Sequence, residues 1–355
     1  MRKSIYIFIF ISFMLNGCME EAEMTPRFYP MVSTEVKTDS LSNSVTFYGK
    51  IEKGTDSIIE YGFAYTLKKD IYLPGNFITF AESVYENYSL TLNRGLLPDT
   101  KYQVRAYAKT KRFTVFGATT ELHTLNYEPK VKDIDGNLYH TILIGNQEWM
   151  VENLRVTRYT NGDSLPTFEN MGSDSEPDTG VYGIYPHNYI SGATTDEEVV
   201  ERYGLLYNWY AVDNSRGLCP QGWRIPSDED WMKLEGFSDS QFGVEHPEWL
   251  KSGWRGANAG IHLRSRGKWS WSQVKGLNHF ELRIYPAGGY GYQSDFYKHE
   301  RLAGILWSST TATSENAYFR FLHYTKSDVY REATSKKTGM SVRCMRDVVF
   351  EPDFH

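Results

Sequence analysis

The chain is 355 residues long, more than one average domain and enough for two. Hydrophobic residues make up 41% and charged residues 23%, which leaves material for large cores and excludes a chain too polar to fold. The net charge of −6, with no basic stripe, gives no electrostatic footing for nucleic acid. Aromatic content is 15%, and few long aliphatic runs accompany it. Rings pack well on pleated surfaces, so this composition favours β structure. An exposed aromatic binding face is the other use for it.

Arg2 and Lys3 begin the chain, and Ile5 to Leu15 is uncharged and mostly apolar. That run is shorter than the ~20 residues a membrane-spanning helix needs, and reads as a signal peptide. Leu15-Asn16-Gly17-Cys18 follows and resembles the bacterial lipobox. The resemblance implies cleavage before Cys18 and acylation of its thiol. Residues 1–17 are then the signal peptide and 18–26 a tether. An ordinary secretory signal with an incidental cysteine is the alternative. Met19-Glu20-Glu21 is similar to the acidic surface-export signals of Bacteroidetes lipoproteins. The expectation is a protein anchored to the outer membrane through lipid on Cys18 and facing the cell surface.

Cys219 and Cys344 remain as an even pair in a compartment that permits disulfides. A bridge between them closes a long loop. Reactive-thiol chemistry and metal ligation are the alternatives; there is no C-x-x-C and no cysteine cluster to favour either.

Residues 27–125 carry β-type segments at Ser44 to Ile51, Ile58 to Tyr65, Asn87 to Leu92, Tyr102 to Ala108 and Thr119 to Thr124. Val104, Ala106 and Ala108 alternate with Arg105, Tyr107 and Lys109, the period of a half-buried strand. Short strands at this spacing predict an all-β sandwich. Leu96-Leu97-Pro98-Asp99-Thr100-Lys101-Tyr102 resembles the L-x-P-x-T-x-Y signature of fibronectin type III domains. That resemblance implies a tyrosine corner at Tyr102, and a spacer or accessory binding module rather than a catalytic one.

In the second segment, residues 129–349, Asp133-Ile134-Asp135-Gly136-Asn137 invites a calcium-loop reading. The glutamate such a loop needs at its twelfth position is replaced by Ile144, so a hairpin turn at Asp135-Gly136 is expected. Ser227-Asp228-Glu229-Asp230 is a capping-box variant opening a helix that Gly236 should end. Thr195 with Glu198 predicts another helix start, stopped at Gly204.

Six blocks then occur in order: Gly145 to Leu154, Tyr203 to Trp209, Gly217 to Ser227, Pro286 to Tyr290, Leu306 to Thr310 and Gly339 to Asp347. Together they resemble the Fibrobacter succinogenes major paralogous domain family. The resemblance implies a C-terminal α+β fold of the C-type-lectin-like and formylglycine-generating-enzyme-like kind, and a first-to-last-strand cystine. Residues 350–355 are left as a tail. Trp149, Trp209, Trp223, Trp231 and Trp307 fall inside the blocks and are expected in the core.

No catalytic signature is present. His299-Glu300 lacks the second histidine of H-E-x-x-H, and no G-x-S-x-G or phosphate-binding loop occurs. The late region holds only Cys344, so the copper-dependent oxidation of formylglycine-generating enzymes lacks its paired thiols. Trp307 is followed by Ser308-Ser309 rather than Asn-Asp, which argues against calcium-dependent sugar binding. No metal or cofactor is expected. Trp254, Arg255, Trp269, Trp271, Tyr290, Tyr292 and Phe296 lie in Gly- and Ser-rich sequence and are the candidate ligand-binding residues, with loop or core packing as the alternative. The expected function is non-catalytic binding of a glycan or a surface protein. An enzyme acting on extracellular polysaccharide, or a structural subunit of a surface assembly, stands as the alternative.

Overall fold

Period-two alternation builds the N-terminal part. In the computed structural model, which describes residues 28–41, 44–67, 76–80, 84–127, 131–170, 178–190, 192–269, 275–291, 296–298 and 301–354, eight strands precede residue 124. They are β1 (Met31–Asp39), β2 (Ser44–Glu52), β3 (Ile58–Leu67), β4 (Asn76–Phe80), β5 (Asn87–Leu92), β6 (Lys101–Thr110), β7 (Thr114–Phe116) and β8 (Thr120–His123). One sheet runs β1-β2-β5; the other runs β4-β3-β6-β7, with β8 also on β6. Phe47, Tyr61, Phe63, Phe80, Tyr88 and Val104 fill a shared core. Its rings meet edge to face, Phe47 and Phe63 at 5.4 Å and Tyr61 and Tyr88 at 4.9 Å. Gly49 leaves the room that the Tyr88 ring occupies: a Cβ there would lie 2.2 Å from it. The Tyr102 hydroxyl accepts a hydrogen bond from the Leu97 backbone N–H at 3.0 Å, the contact its motif implied.

Next come β9 (Val131–Lys132) and β10 (Leu138–Tyr139), an antiparallel pair. Asp133 Oδ1 accepts from the backbone N–H groups of Asp135 and Asn137, at 3.0 and 2.9 Å. Asp135 is turned away and holds Arg158 and the Thr157 hydroxyl. The Asp133 carboxylate is spent on the turn and that of Asp135 on Thr157 and Arg158, and β9 pairs with β10, so the segment is a hairpin. Then β11 (Thr141–Ile144) and β12 (Gln147–Met150) form a second hairpin.

The remaining elements, in chain order, are β13 (Tyr182–Gly183), α1 (Asp196–Tyr203), β14 (Leu206–Tyr207), α2 (Trp209–Val212), α3 (Asp228–Ser238), β15 (Gly253–Arg255), α4 (Ala259–Leu263), β16 (Gly289–Gly291), β17 (Phe296–Lys298), β18 (Ala303–Thr311), β19 (Asn316–His323), β20 (Val329–Ser335), β21 (Met340–Ser341), β22 (Met345–Asp347) and β23 (Asp353–Phe354). A seven-stranded sheet has the order β13-β14-β21-β18-β19-β20-β15, parallel only between β18 and β21. Ile305 and Trp307 of β18 enter one core and Leu306 enters another, so side-chain alternation gives the sheet two covered faces. Strand β22 joins β12, and β23 pairs with β5, so the chain's last strand lies on the N-terminal sheet.

The expected division into an all-β sandwich and an α+β lectin-like domain is corrected by this topology: strands form several sheets along the whole chain, the C-terminal region included. The four α-helices described have 8, 4, 11 and 5 residues. The residues between 303 and 335 favour this: Ile305, Trp307, Thr310, Thr311, Phe319, Phe321, Val329 and Tyr330 are aromatic or β-branched and sit on β18, β19 and β20. Only α1 and α3 combine a side-chain cap with an acidic first turn.

The cap of α3 is reciprocal. Ser227 Oγ accepts from the Asp230 N–H at 3.1 Å, and the Asp230 carboxylate accepts from the Ser227 N–H at 2.7 Å. Ser227→Ala is expected to cost about 1 kcal/mol in urea unfolding. The helix passes through Gly236 and ends at Ser238, against expectation. Gly236 serves packing instead: a Cβ there would lie 2.6 Å from the Val244 backbone.

The two parts share contacts. The Leu143 carbonyl accepts from the Tyr65 hydroxyl at 2.8 Å and from Asn76 Nδ2 at 2.9 Å, while the Leu143 N–H donates to Gly95 at 2.9 Å. Glu148, buried, pairs with both Arg94 and Arg346.

Candidate functional site

Cys219 and Cys344 form a disulfide, with Cα atoms 5.9 Å apart. Neither lies in a strand, Cys219 falling between α2 and α3 and Cys344 between β21 and β22, so the bond is present but is not the expected link between first and last strands. It ties the 217–227 block to the final block beside a backbone exchange in which Arg224 and Met345 bond reciprocally at 2.8 and 2.9 Å. Cys18 lies outside the described residues, as do Trp271 and Tyr292.

The other candidate binding residues do not share one surface. Arg255 is buried and belongs to a charge network, which corrects its assignment as a ligand contact. Glu235 sits between Arg255 and Arg320. Asp228 receives Arg320 at 2.7 Å and Arg331 at 2.6 Å. Burial pushes the Arg255 guanidinium down to about 10, against the pull of Glu235. Burial also pushes the Asp228 carboxyl up, but hydrogen bonds from Arg331 and the charge of Arg320 outweigh this and hold it below the usual carboxylate range. Trp269 is half-buried against the core under the sheet, its indole N–H on Ser265 Oγ at 3.0 Å and Arg264 over its ring at 4.9 Å. Tyr290 packs on Phe168 with ring centres 4.7 Å apart and bridges to Gly339. Phe296 is placed by its backbone, opposite Gly291 in the β16–β17 pair.

Trp254 stands elsewhere, on edge strand β15, and is half-exposed. It lies opposite Tyr330 of β20, which lies opposite Phe321 of β19. The rings of Trp254 and Tyr330 are 5.2 Å apart, and those of Trp254 and Phe321 5.9 Å. Phe319 reaches Tyr330 at 6.3 Å, and His323 stacks on Phe321 at 5.7 Å. Lys326 Nζ lies 5.3 Å over the Trp254 ring. All five rings are half-buried, so the last three strands of the sheet present an aromatic ledge. Its core side is continuous with the buried Ala303, Ile305 and Trp307 of β18, against which Phe319 and Phe321 pack.

Phe319, Phe321, His323 and Tyr330 were not among the sequence candidates. The signal was the alternation Phe319-x-Phe321-x-His323, which puts three rings on one strand face. Of the five tryptophans expected in the core, Trp149, Trp209, Trp231 and Trp307 are buried. Trp223 is half-exposed, with Arg346 over its ring at 5.3 Å. Among the described residues no group of three or more His, Cys, Asp or Glu side chains is placed to hold a metal ion. Among them also, no helix is long and apolar enough to cross a membrane.

A cystine-closed, β-rich unit with an aromatic sheet edge is therefore the class of structure that carries the six sequence blocks. The chain belongs to the Fibrobacter succinogenes major domain family, whose sequence model matches residues 142–346. Comparison with curated proteins and with solved structures finds no match.

Proposed function

We propose that this is a non-catalytic surface lipoprotein, held by lipid on Cys18, that binds glycan on the ledge of Trp254, Tyr330, Phe321 and Phe319. The observation that carries the reading is the ledge itself: half-exposed rings side by side on three adjacent strands. Aromatic faces stack on the apolar faces of sugar rings, and the Lys326 ammonium beside Trp254 supplies a hydrogen-bond donor. A rigid sheet keeps the rings in place without a ligand, so little ordering entropy opposes binding. The N-terminal sandwich is read as a fibronectin type III-like spacer, supported by the Tyr102–Leu97 bond. The apolar run from Ile5 to Leu15 and the Gly17-Cys18 pair after it support the anchor.

The test is saturable binding to a panel of neutral polysaccharides. Trp254→Ala combined with Tyr330→Ala is expected to weaken Kd at least tenfold while the melting temperature stays within a few degrees of wild type. Unchanged affinity, or release of shortened sugars during incubation, would overturn the reading.

A further inference from the structure

A concavity lies beside the molecule's cystine, built by blocks that the ledge does not use. It is an open depression of about 730 Å³, within the size range of small-ligand sites. Its floor is apolar: Val212, Leu218, Cys219 and Ile225 are all buried and line it. The half-exposed Trp223 lines it as well.

The rim is polar and already organised. Arg224 is gripped by Asp230 and, at 2.5 Å, by Asp347. Asp230 is in turn fixed by the Ser227 N–H and hydroxyl, both at 2.7 Å. Lys233 pairs with Glu229 at 3.0 Å, one helical turn apart. Asp347 and Glu229 remain 62% and 70% exposed, so their remaining lone pairs are open to solvent.

Two cations against three carboxylates leave the rim at a net −1, with all five groups paired among themselves. An anionic ligand would meet Asp347 and Glu229 and find Arg224 taken. A cationic ligand would meet Lys233 and the same Arg224. A hydroxyl donates to a carboxylate and accepts from an ammonium, so a rim of this kind suits a neutral polyol. An apolar floor with a tryptophan at its side suits the C–H face of a sugar ring.

We infer that the Trp223–Arg224–Asp347 cleft is a distinct binding site for a neutral saccharide unit. The inference extends the glycan-binding reading to a second site while sharing no residue with the ledge.

The experiment is saturation-transfer NMR on the full chain with methyl glucoside, methyl galactoside, methyl mannoside and N-acetylglucosamine, and with glucuronate and glucosamine as charged comparators. Wild type is expected to transfer saturation to at least one neutral sugar. Transfer should persist in the Trp254→Ala/Tyr330→Ala variant, fall at least tenfold in Ser309→Trp, which fills the cleft, and weaken in Asp347→Ala. If Ser309→Trp lowers the melting temperature, Lys233→Ala with Asp347→Ala, both at the surface, carries the comparison. Transfer to no neutral sugar, transfer only to a charged one, or transfer unaffected by the cleft variants overturns the inference. Loss in the ledge variant with the cleft variants intact assigns the sugar to the ledge and overturns it too. Retention in the ledge variant with loss in the cleft variants supports the cleft even if polysaccharide binding at the ledge has failed.

Discussion

Replacing Cys219 and Cys344 together by serine is expected to lower stability by roughly 4–5 kcal/mol. The bond spans 125 residues, and opening it returns that loop's freedom to the unfolded chain. The native side adds to the loss, because both sulfurs are buried and two hydroxyls would take their place. Against a typical total of about 5–15 kcal/mol, this removes roughly a quarter or more of the stability. Urea unfolding of wild type with and without reductant, beside the double variant, measures it. Reductant should move the wild-type midpoint to that of the variant. A midpoint shift worth less than about 1 kcal/mol would show that the two blocks are held by Arg224–Met345 pairing and packing alone.

Glu235→Ala is expected to destabilise by about 3–5 kcal/mol, because it strips the shared partner from Arg255 and Arg320 in a site closed to water. Glu235→Gln keeps the shape and removes the charge, so it should cost nearly as much; a merely steric role would leave it close to wild type. The network also sets an acid limit. Asp228 has a folded pKa below its unfolded value, so its contribution is fully present above the ordinary aspartate range. That contribution is lost as pH falls through the folded value. Asp230 and Asp239 are held down as well, Asp230 by Arg224 and Ser227 and Asp239 by five backbone N–H groups, in each case against burial. Acid unfolding should therefore begin below about pH 4 and shift upward in Glu235→Gln.

Local chemistry was legible in the sequence. Ser227 with Asp230, Thr195 with Gly204, the Asp135-Gly136 turn and the Tyr102 corner each need only a few neighbouring residues, and each is found as read. The cystine followed from counting and from the family resemblance. What depended on distant pairing was not legible. Arg255 follows Trp254 in a polar stretch and looked like a surface cation; a carboxylate on α3 draws it inside. The ledge needs β15 to dock on β20, and no local signal dictates that β15, in sequence far upstream, becomes the sheet's outer edge. The α+β expectation came from fold resemblance rather than from the residues. Phe319-x-Phe321-x-His323 on β19 is the alternation that favours the sheet that forms.

The ledge is reached most directly by fluorine NMR of the full chain labelled with 5-fluorotryptophan, the Trp254 signal being assigned by Trp254→Phe. Titration with soluble neutral polysaccharide should move that signal saturably while those of the buried Trp149, Trp231 and Trp307 stay fixed. A Trp254 signal that never moves, at saturating amounts of every neutral polysaccharide tried, would contradict the account.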